Sequence, residues 1–225
     1  MSGSNIYIYD FKENKIVDSI IDKNPDDEGS RVVFVNKLDE SRIIIGMCES
    51  QVWVYDLKQK KAQLLENTRY YTHAAIKISD AKIIICNNQD LRVLDTKDFN
   101  MIKKFEIDCT YGSPFYSQLL SNGMIATTSE DGRLYMHSNN LEMISNTLLF
   151  DNEKDFVRIF IEDDGILYLG TEKGDVYTYD LANNKILYKV EPKPHKQCIL
   201  SMNKVGADMI VTSSIDKTIN LLKFK

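Results

Sequence analysis

The chain has 225 residues, 43% of them hydrophobic and 27% charged, a globular composition that excludes a disordered or collagen-like polymer. Its 28 Lys and Arg against 33 Asp and Glu leave a formal net charge of −5. That balance argues against a general nucleic-acid binder, which needs a basic surface to displace phosphate counterions. No apolar run reaches the ~18 residues of a membrane span, and the first five residues lack the basic and apolar regions of a secretory signal. No membrane insertion is expected, and the expected compartment is the cytoplasm, with the nucleus open. Cys48, Cys86, Cys109 and Cys198 have no zinc-knuckle or C-x-x-C spacing. They read as structural thiols in a reducing compartment.

In chain order, the elements are short apolar runs broken by turn residues. Seven alanines against 25 isoleucines, 12 tyrosines and 9 phenylalanines favour strands over helices. Strands are predicted over 5–10 and 15–21, followed by the acidic loop DKNPDDEGS at 22–30. RVVFVN (31–36) then leads through IIIGMC to VWVYD, which ends at Asp56. HAAIKI (73–78), KIIIC and LRVLD follow, the last ending at Asp95. PFYSQL (114–119) precedes RLYMHS, with the hairpin signals Asn122-Gly123 and Asp131-Gly132 between them. Segment 155–190 shows the grammar most fully: DFVRIFIE, DDG, ILYLGT, EKGD, VYTYD, LANNK, ILYKV. The chain finishes with strands near 197–202, 207–212 and 218–224.

The aromatic-Asp strand recurs, ending at Asp10, Asp56, Asp95, Ser138, Asp180 and Lys223, so the period is about 43 residues. Four strands per period, labelled a to d outward, is the arithmetic of a β-propeller blade. A sandwich or barrel imposes no such period. The fold class expected is all-β, a single propeller domain over 1–225 with four full units and partial units at both ends. It contains six c strands but five a and five b strands, giving five closed or six incomplete blades.

The repeats resemble the WD-repeat family across nearly the whole chain. The last unit, PHKQCILSMNKVGADMIVTSSIDKTINLLK, matches best. His195 falls on the family's Gly-His histidine, with Pro194 in place of the glycine. Thr212 falls on the strand-b hydroxyl, Asp216 on the b–c turn aspartate, and Leu222-Lys223 on the Trp-Asp pair. The resemblance implies a buried network of His195, Thr212 and Asp216, without the tryptophan; His73 is a second candidate for the histidine position. GTEKGDVYTYDLANNKILYKV also resembles quinoprotein-like propellers.

The five a-strand runs contain no Asp or Glu; their ionisable residues are Arg31, His73, Lys77 and Arg158. Inner strands without carboxylates are poorly equipped for acid–base or hard-metal chemistry. Phosphate-loop, dinucleotide, nucleophile-elbow and zincin motifs are absent. No catalytic residue, metal or cofactor is therefore expected, and His137 reads as a packing residue with one satisfied nitrogen.

The rim of d–a loops and b–c turns is net acidic by composition. Asp26, Asp27 and Glu28 stand out in the first loop, and Arg69, Tyr70, Tyr71 and Tyr111 are of types enriched at binding hot spots. These seven are the candidate partner-binding residues. The WD-repeat resemblance implies a non-catalytic scaffold or adaptor mediating protein–protein interactions within a multiprotein complex. The rival is a quinoprotein-like propeller binding a small molecule or catalysing a reaction in its central channel. The unequal strand count leaves a sheet edge, and some WD-repeat scaffolds of coats and pores resemble this, being completed by a partner's strands. A second chain, or another copy, completing that edge is the corresponding expectation.

Overall fold

A computed structural model describes residues 6–20, 32–47, 51–67, 71–106, 112–150 and 155–224. The fold is all-β, a β-propeller of antiparallel blades whose strands follow chain order in every sheet. The chain divides into two compact units, Met1–Ala75 and Ile76–Lys225, and the division falls inside the strand Thr72–Ser79.

In the first unit, β1 (Ile6–Asp10) and β2 (Lys15–Ile20) form a two-stranded sheet. β3 (Val32–Lys37), β4 (Arg42–Met47), β5 (Gln51–Asp56) and β6 (Lys61–Asn67) form a four-stranded one. Ile45, Met47 and Tyr55 of the larger sheet make a core against Ile6, Ile8 and Ile20 of the smaller. The Tyr55 hydroxyl crosses between them and donates to Asp18 at 2.6 Å. Burial and that bond to a carboxylate push the phenol up to about 12.

The third sheet is β7 (Thr72–Ser79), β8 (Lys82–Asn87), β9 (Asp90–Asp95) and β10 (Met101–Glu106). Three more sheets lie in the second unit. They are β11 (Pro114–Leu119) to β14 (Met143–Leu148) through β12 (Ile125–Ser129) and β13 (Arg133–His137), then β15 (Val157–Asp163) to β18 (Lys185–Lys189) through β16 (Ile166–Thr171) and β17 (Val176–Asp180). The last has three strands: β19 (Ile199–Lys204), β20 (Met209–Ser214) and β21 (Ile219–Lys223). The full and partial units thus match the sequence grammar within the described residues.

Burial follows strand position. The b and c strands are apolar on both faces because sheets pack on each side of them; Ile83, Leu91, Ile125, Leu134, Leu167 and Val176 are fully buried. The d strands face solvent, and β10 is exposed along most of its length. Phe160, Leu167, Leu169 and Tyr179 join Leu134 and Phe150 in one core between the β11–β14 and β15–β18 sheets. Val176, Ile199, Met202 and Ile210 join the β15–β18 sheet to the last.

The aspartate that closes most c strands builds the following turn. Asp56 accepts from the amides of Lys58 and Gln59, both at 2.8 Å, and Asp180 from those of Ala182 and Asn183 at 2.8 and 3.1 Å. Asp10 and Asp95 do the same with Lys12 and Lys97, at 2.7 Å each. Four residues after each aspartate the chain turns left-handed, at Asn14, Lys60, Phe99 and Asn184. The aspartate in the repeat is therefore a turn-former.

Several inner strands run past their apolar runs, and one of them gains carboxylates. β15 continues through Glu162 and Asp163, so the expectation of inner strands without carboxylates is corrected there. Both carboxylates stitch neighbouring sheets. Glu162 accepts from the Ser121 amide and hydroxyl at 2.6 and 2.5 Å, and Asp163 pairs with Lys204 of β19 at 2.5 Å. These partners supply hydrogen bonds that let charged residues extend the strand beyond its hydrophobic core.

Candidate interaction surface

The b–c turns of the last three sheets share one geometry. The amides of Gly132, Gly174 and Lys217 donate to the carbonyls of Ser129, Thr171 and Ser214 at 3.1, 3.2 and 3.1 Å. Those three residues have φ of 76°, 91° and 68°. Glycine adopts that conformation without steric cost, whereas Lys217 does not.

The first of these turns is joined to the loop preceding its sheet by the Glu130 amide and the Ser113 carbonyl at 3.0 Å, and the other two are locked to theirs by a carboxylate. Asp216 accepts from the Lys196 amide at 2.8 Å and from the Thr218 amide and hydroxyl at 2.9 and 2.6 Å. The Thr218 hydroxyl chiefly, with those amides, holds its carboxyl below the usual carboxylate range. In the preceding sheet the carboxylate sits on the loop instead: Asp155 accepts from the amides of Phe156 and Lys173 at 3.0 and 3.1 Å. Burial dominates there and raises the Asp155 pKa.

His195, Thr212 and Asp216 come together. The buried His195 ring lies between two hydroxyls, Nε2 at 2.8 Å from Thr212 and Nδ1 at 2.8 Å from Thr218. Asp216 Oδ2 is 3.4 Å from Nδ1. Asn220 adds a bond from Nδ2 to the Pro194 carbonyl at 2.5 Å and lies 3.2 Å from Nδ1. The sequence reading missed Thr218 and Asn220. Their signal was the side-chain alternation of β21 beside the histidine, which motif matching alone does not weigh.

Of the candidate partner-binding residues, Asp26, Asp27, Glu28, Arg69, Tyr70 and Tyr111 lie outside the described residues. Tyr71 immediately precedes β7 and is exposed. The described rim carboxylates are largely turned inward. Asp90 is buried against Arg92 Nε at 2.7 Å and Asn87 Nδ2 at 2.6 Å. Asp131 accepts from the Arg133 amide and the Tyr135 hydroxyl, both at 3.1 Å. Asp175 is buried and paired with Lys189 at 3.0 Å and Lys193 at 3.6 Å.

On the inner strands, Arg158 sits 4.2 Å above the Phe115 ring, with Nε 2.9 Å from Glu172 and 3.0 Å from Cys198 Sγ. Burial raises the Cys198 pKa and pushes Cys86 up to about 12, so both thiols stay protonated at neutral pH. His137 differs from expectation: neither ring nitrogen has a hydrogen-bond partner among the described residues. Its ring instead meets the edge of Phe105, 4.9 Å between centroids. The described residues hold no group of three or more potential metal-ligating side chains, and no helix long and apolar enough to cross a membrane.

No protein-family model matches this sequence, and no curated protein matches it. Solved structures do. A chain from the structure described as "Crystal Structure of Mitotic Checkpoint Complex" superposes with a TM-score of 0.80 at 10% identity, over 99% of this chain and 69% of that one. The computationally designed Ika8 protein gives 0.65 at 14% identity, over 85% of this chain and 58% of that one. Identities this low speak to fold alone. At that level the repeat grammar, the sheet order and the superpositions agree on a β-propeller.

Proposed function

We propose that this protein is a non-catalytic scaffold or adaptor that mediates protein–protein interactions within a multiprotein complex, built as one propeller domain over 1–225. The observation that carries this reading is the pairing of the inner-strand charges. Arg158 is paired with Glu172, Lys77 with Asp80, Asp163 with Lys204, and Glu162 with the Ser121 amide and hydroxyl. Groups committed to neighbours in this way do not converge on a reacting atom, and those of Glu162 and Asp163 brace adjacent sheets. The fold likeness to a chain from a multiprotein complex supports the same reading by analogy. Loops at the ends of packed blades suit the display of contacts to several partners.

Within this reading, the acidic loop with Asp26, Asp27 and Glu28, and the aromatic contacts Tyr70, Tyr71 and Tyr111 beside Arg69, are proposed partner contacts. A further polypeptide, a partner or a second copy, is proposed to complete the sheet ending in β21. The protein is placed in the cytoplasm or nucleus. Affinity purification of the tagged chain from its source cell, with mass spectrometry of co-eluting chains, tests the function. Stoichiometric partner proteins are expected; a protein that elutes alone and carries a bound organic cofactor, seen by absorbance, would overturn it.

A further inference from the structure

Three segments of the second unit form one continuous surface. The turn 172–175 meets the loop 191–197 where the His195 amide donates to the Gly174 carbonyl at 3.2 Å. The fit is close: a Cβ on Gly174 would lie 2.5 Å from the Gln197 carbonyl oxygen and 2.6 Å from that of His195. The same loop meets the turn 215–218 through the Lys196 amide and Asp216 at 2.8 Å. Lys173, Lys193, Lys196 and Lys217, distributed over these segments, are all exposed.

The carboxylates of the same surface are spent internally. Asp175 is only 3% exposed and faces Lys189 and Lys193. Asp155 is 2% exposed and takes two amides. Asp216 takes two amides and a hydroxyl, and Glu172 pairs with Arg158. Glu191 is the exposed carboxylate among these segments. Composition makes the rim acidic, but burial makes this sector of it present lysine to solvent.

Two further features mark the surface. Lys217 holds a left-handed φ of 68° where the equivalent turns use Gly132 and Gly174. The Ser214 carbonyl and the bonds of Asp216 hold this turn, and the Lys217 side chain is exposed on it. Beside it Ile215 is 48% exposed, an apolar contact set among lysines.

We infer that this lysine face docks an acidic polypeptide segment, a reading that rests on the scaffold function proposed above. Carboxylates of the segment meet Lys173, Lys193, Lys196 and Lys217, and an apolar residue of it covers Ile215. The chemistry favours a polypeptide over nucleic acid. The three segments contain no arginine and no aromatic residue on which a base would stack, and the whole chain carries −5.

The test titrates the full chain into a fluorescein-labelled peptide of about twelve residues, mostly Asp and Glu around a central leucine, read by anisotropy at about 50 and about 300 mM salt. Saturable binding is expected, weakening several-fold at the higher salt. The Lys173→Gln/Lys196→Gln/Lys217→Gly variant should lose at least roughly tenfold in affinity. Lys58→Gln/Lys61→Gln, at the β5–β6 turn, should bind as the parent does. The backbone amides of Lys173 and Lys196 survive these changes, and circular dichroism checks the fold. If the triple variant misfolds, Lys196→Gln alone should still weaken binding measurably. No binding by the parent chain, an equal loss in the β5–β6 turn variant, or tighter binding of an oligothymidylate of matched charge would each overturn the inference. Co-purifying partner proteins alongside a failed peptide titration would sink the lysine face and leave the scaffold reading standing.

Discussion

Two buried histidines in this protein have opposite surroundings. His195 has hydroxyls on both nitrogens, so burial costs it little, and removing Thr212 would strand a buried ring nitrogen. His137 has no hydrogen-bond partner on either nitrogen among the described residues, and desolvation alone depresses its pKa from 6.5 to about 4. Its folded pKa lies below its unfolded one, so the unfolded chain binds more protons between those values. Stability is therefore full above about pH 6.5 and falls as pH drops toward 4, by roughly 2–3 kcal/mol for this group alone. His137→Leu should remove that acid-side loss and raise stability at neutral pH by about 1 kcal/mol. Urea denaturation of both proteins at pH 7 and pH 5 checks it: a variant with the parent's pH slope would show that His137 is not the titrating group.

At the element scale the repeated turns were legible where a side chain acts on its own backbone. The aspartates at 10, 56, 95 and 180 could be read as strand ends because a carboxylate two residues before an amide favours a turn in any context. Among the b–c turns, Asp131-Gly132 was legible as an Asp-Gly pair and EKGD as a turn segment. Lys217 was not, because nothing in its own sequence announces a positive φ. The left-handed backbone costs a lysine about 1 kcal/mol that glycine avoids. Lys217→Gly should therefore raise the melting temperature by roughly 2–4 °C in a chain of this size, while weakening the acidic peptide described above. A lowered melting temperature would mean that the lysine side chain itself braces the turn.

Over the whole molecule the last sheet stands apart. Ile219 of β21 is 74% exposed and Leu221 60%. The residues that hold the Ile219 place in the four-stranded sheets, Val52, Leu91, Leu134 and Val176, are all 0% exposed. An apolar strand surface open to solvent here and sealed in all of the four-stranded sheets is what the proposed second chain would cover. The Ile219→Lys/Leu221→Lys variant should abolish assembly while retaining the β-sheet spectrum. Light scattering with circular dichroism reads both. A parent protein that is monomeric, with every terminal strand paired within one closed ring, would refute completion by a second chain.

The sequence by itself determined the strands, their period, the two partial units and hence the propeller. Each of these rests on local chemistry: β-branched and aromatic runs, turn residues, and repetition. It also placed His195, Thr212 and Asp216 in corresponding positions of one unit. Tertiary structure alone decided what charge the rim presents. Composition counts every carboxylate equally, but Asp155 and Asp175 are buried by contacts from the neighbouring turn, loop and strand. It also decided where β15 ends, because Glu162 and Asp163 extend that strand only with Ser121 and Lys204, each 41 residues away, to receive their charge. Partners so distant in sequence leave no trace in a local pattern, and the free energy of a charged side chain depends on who its neighbours are.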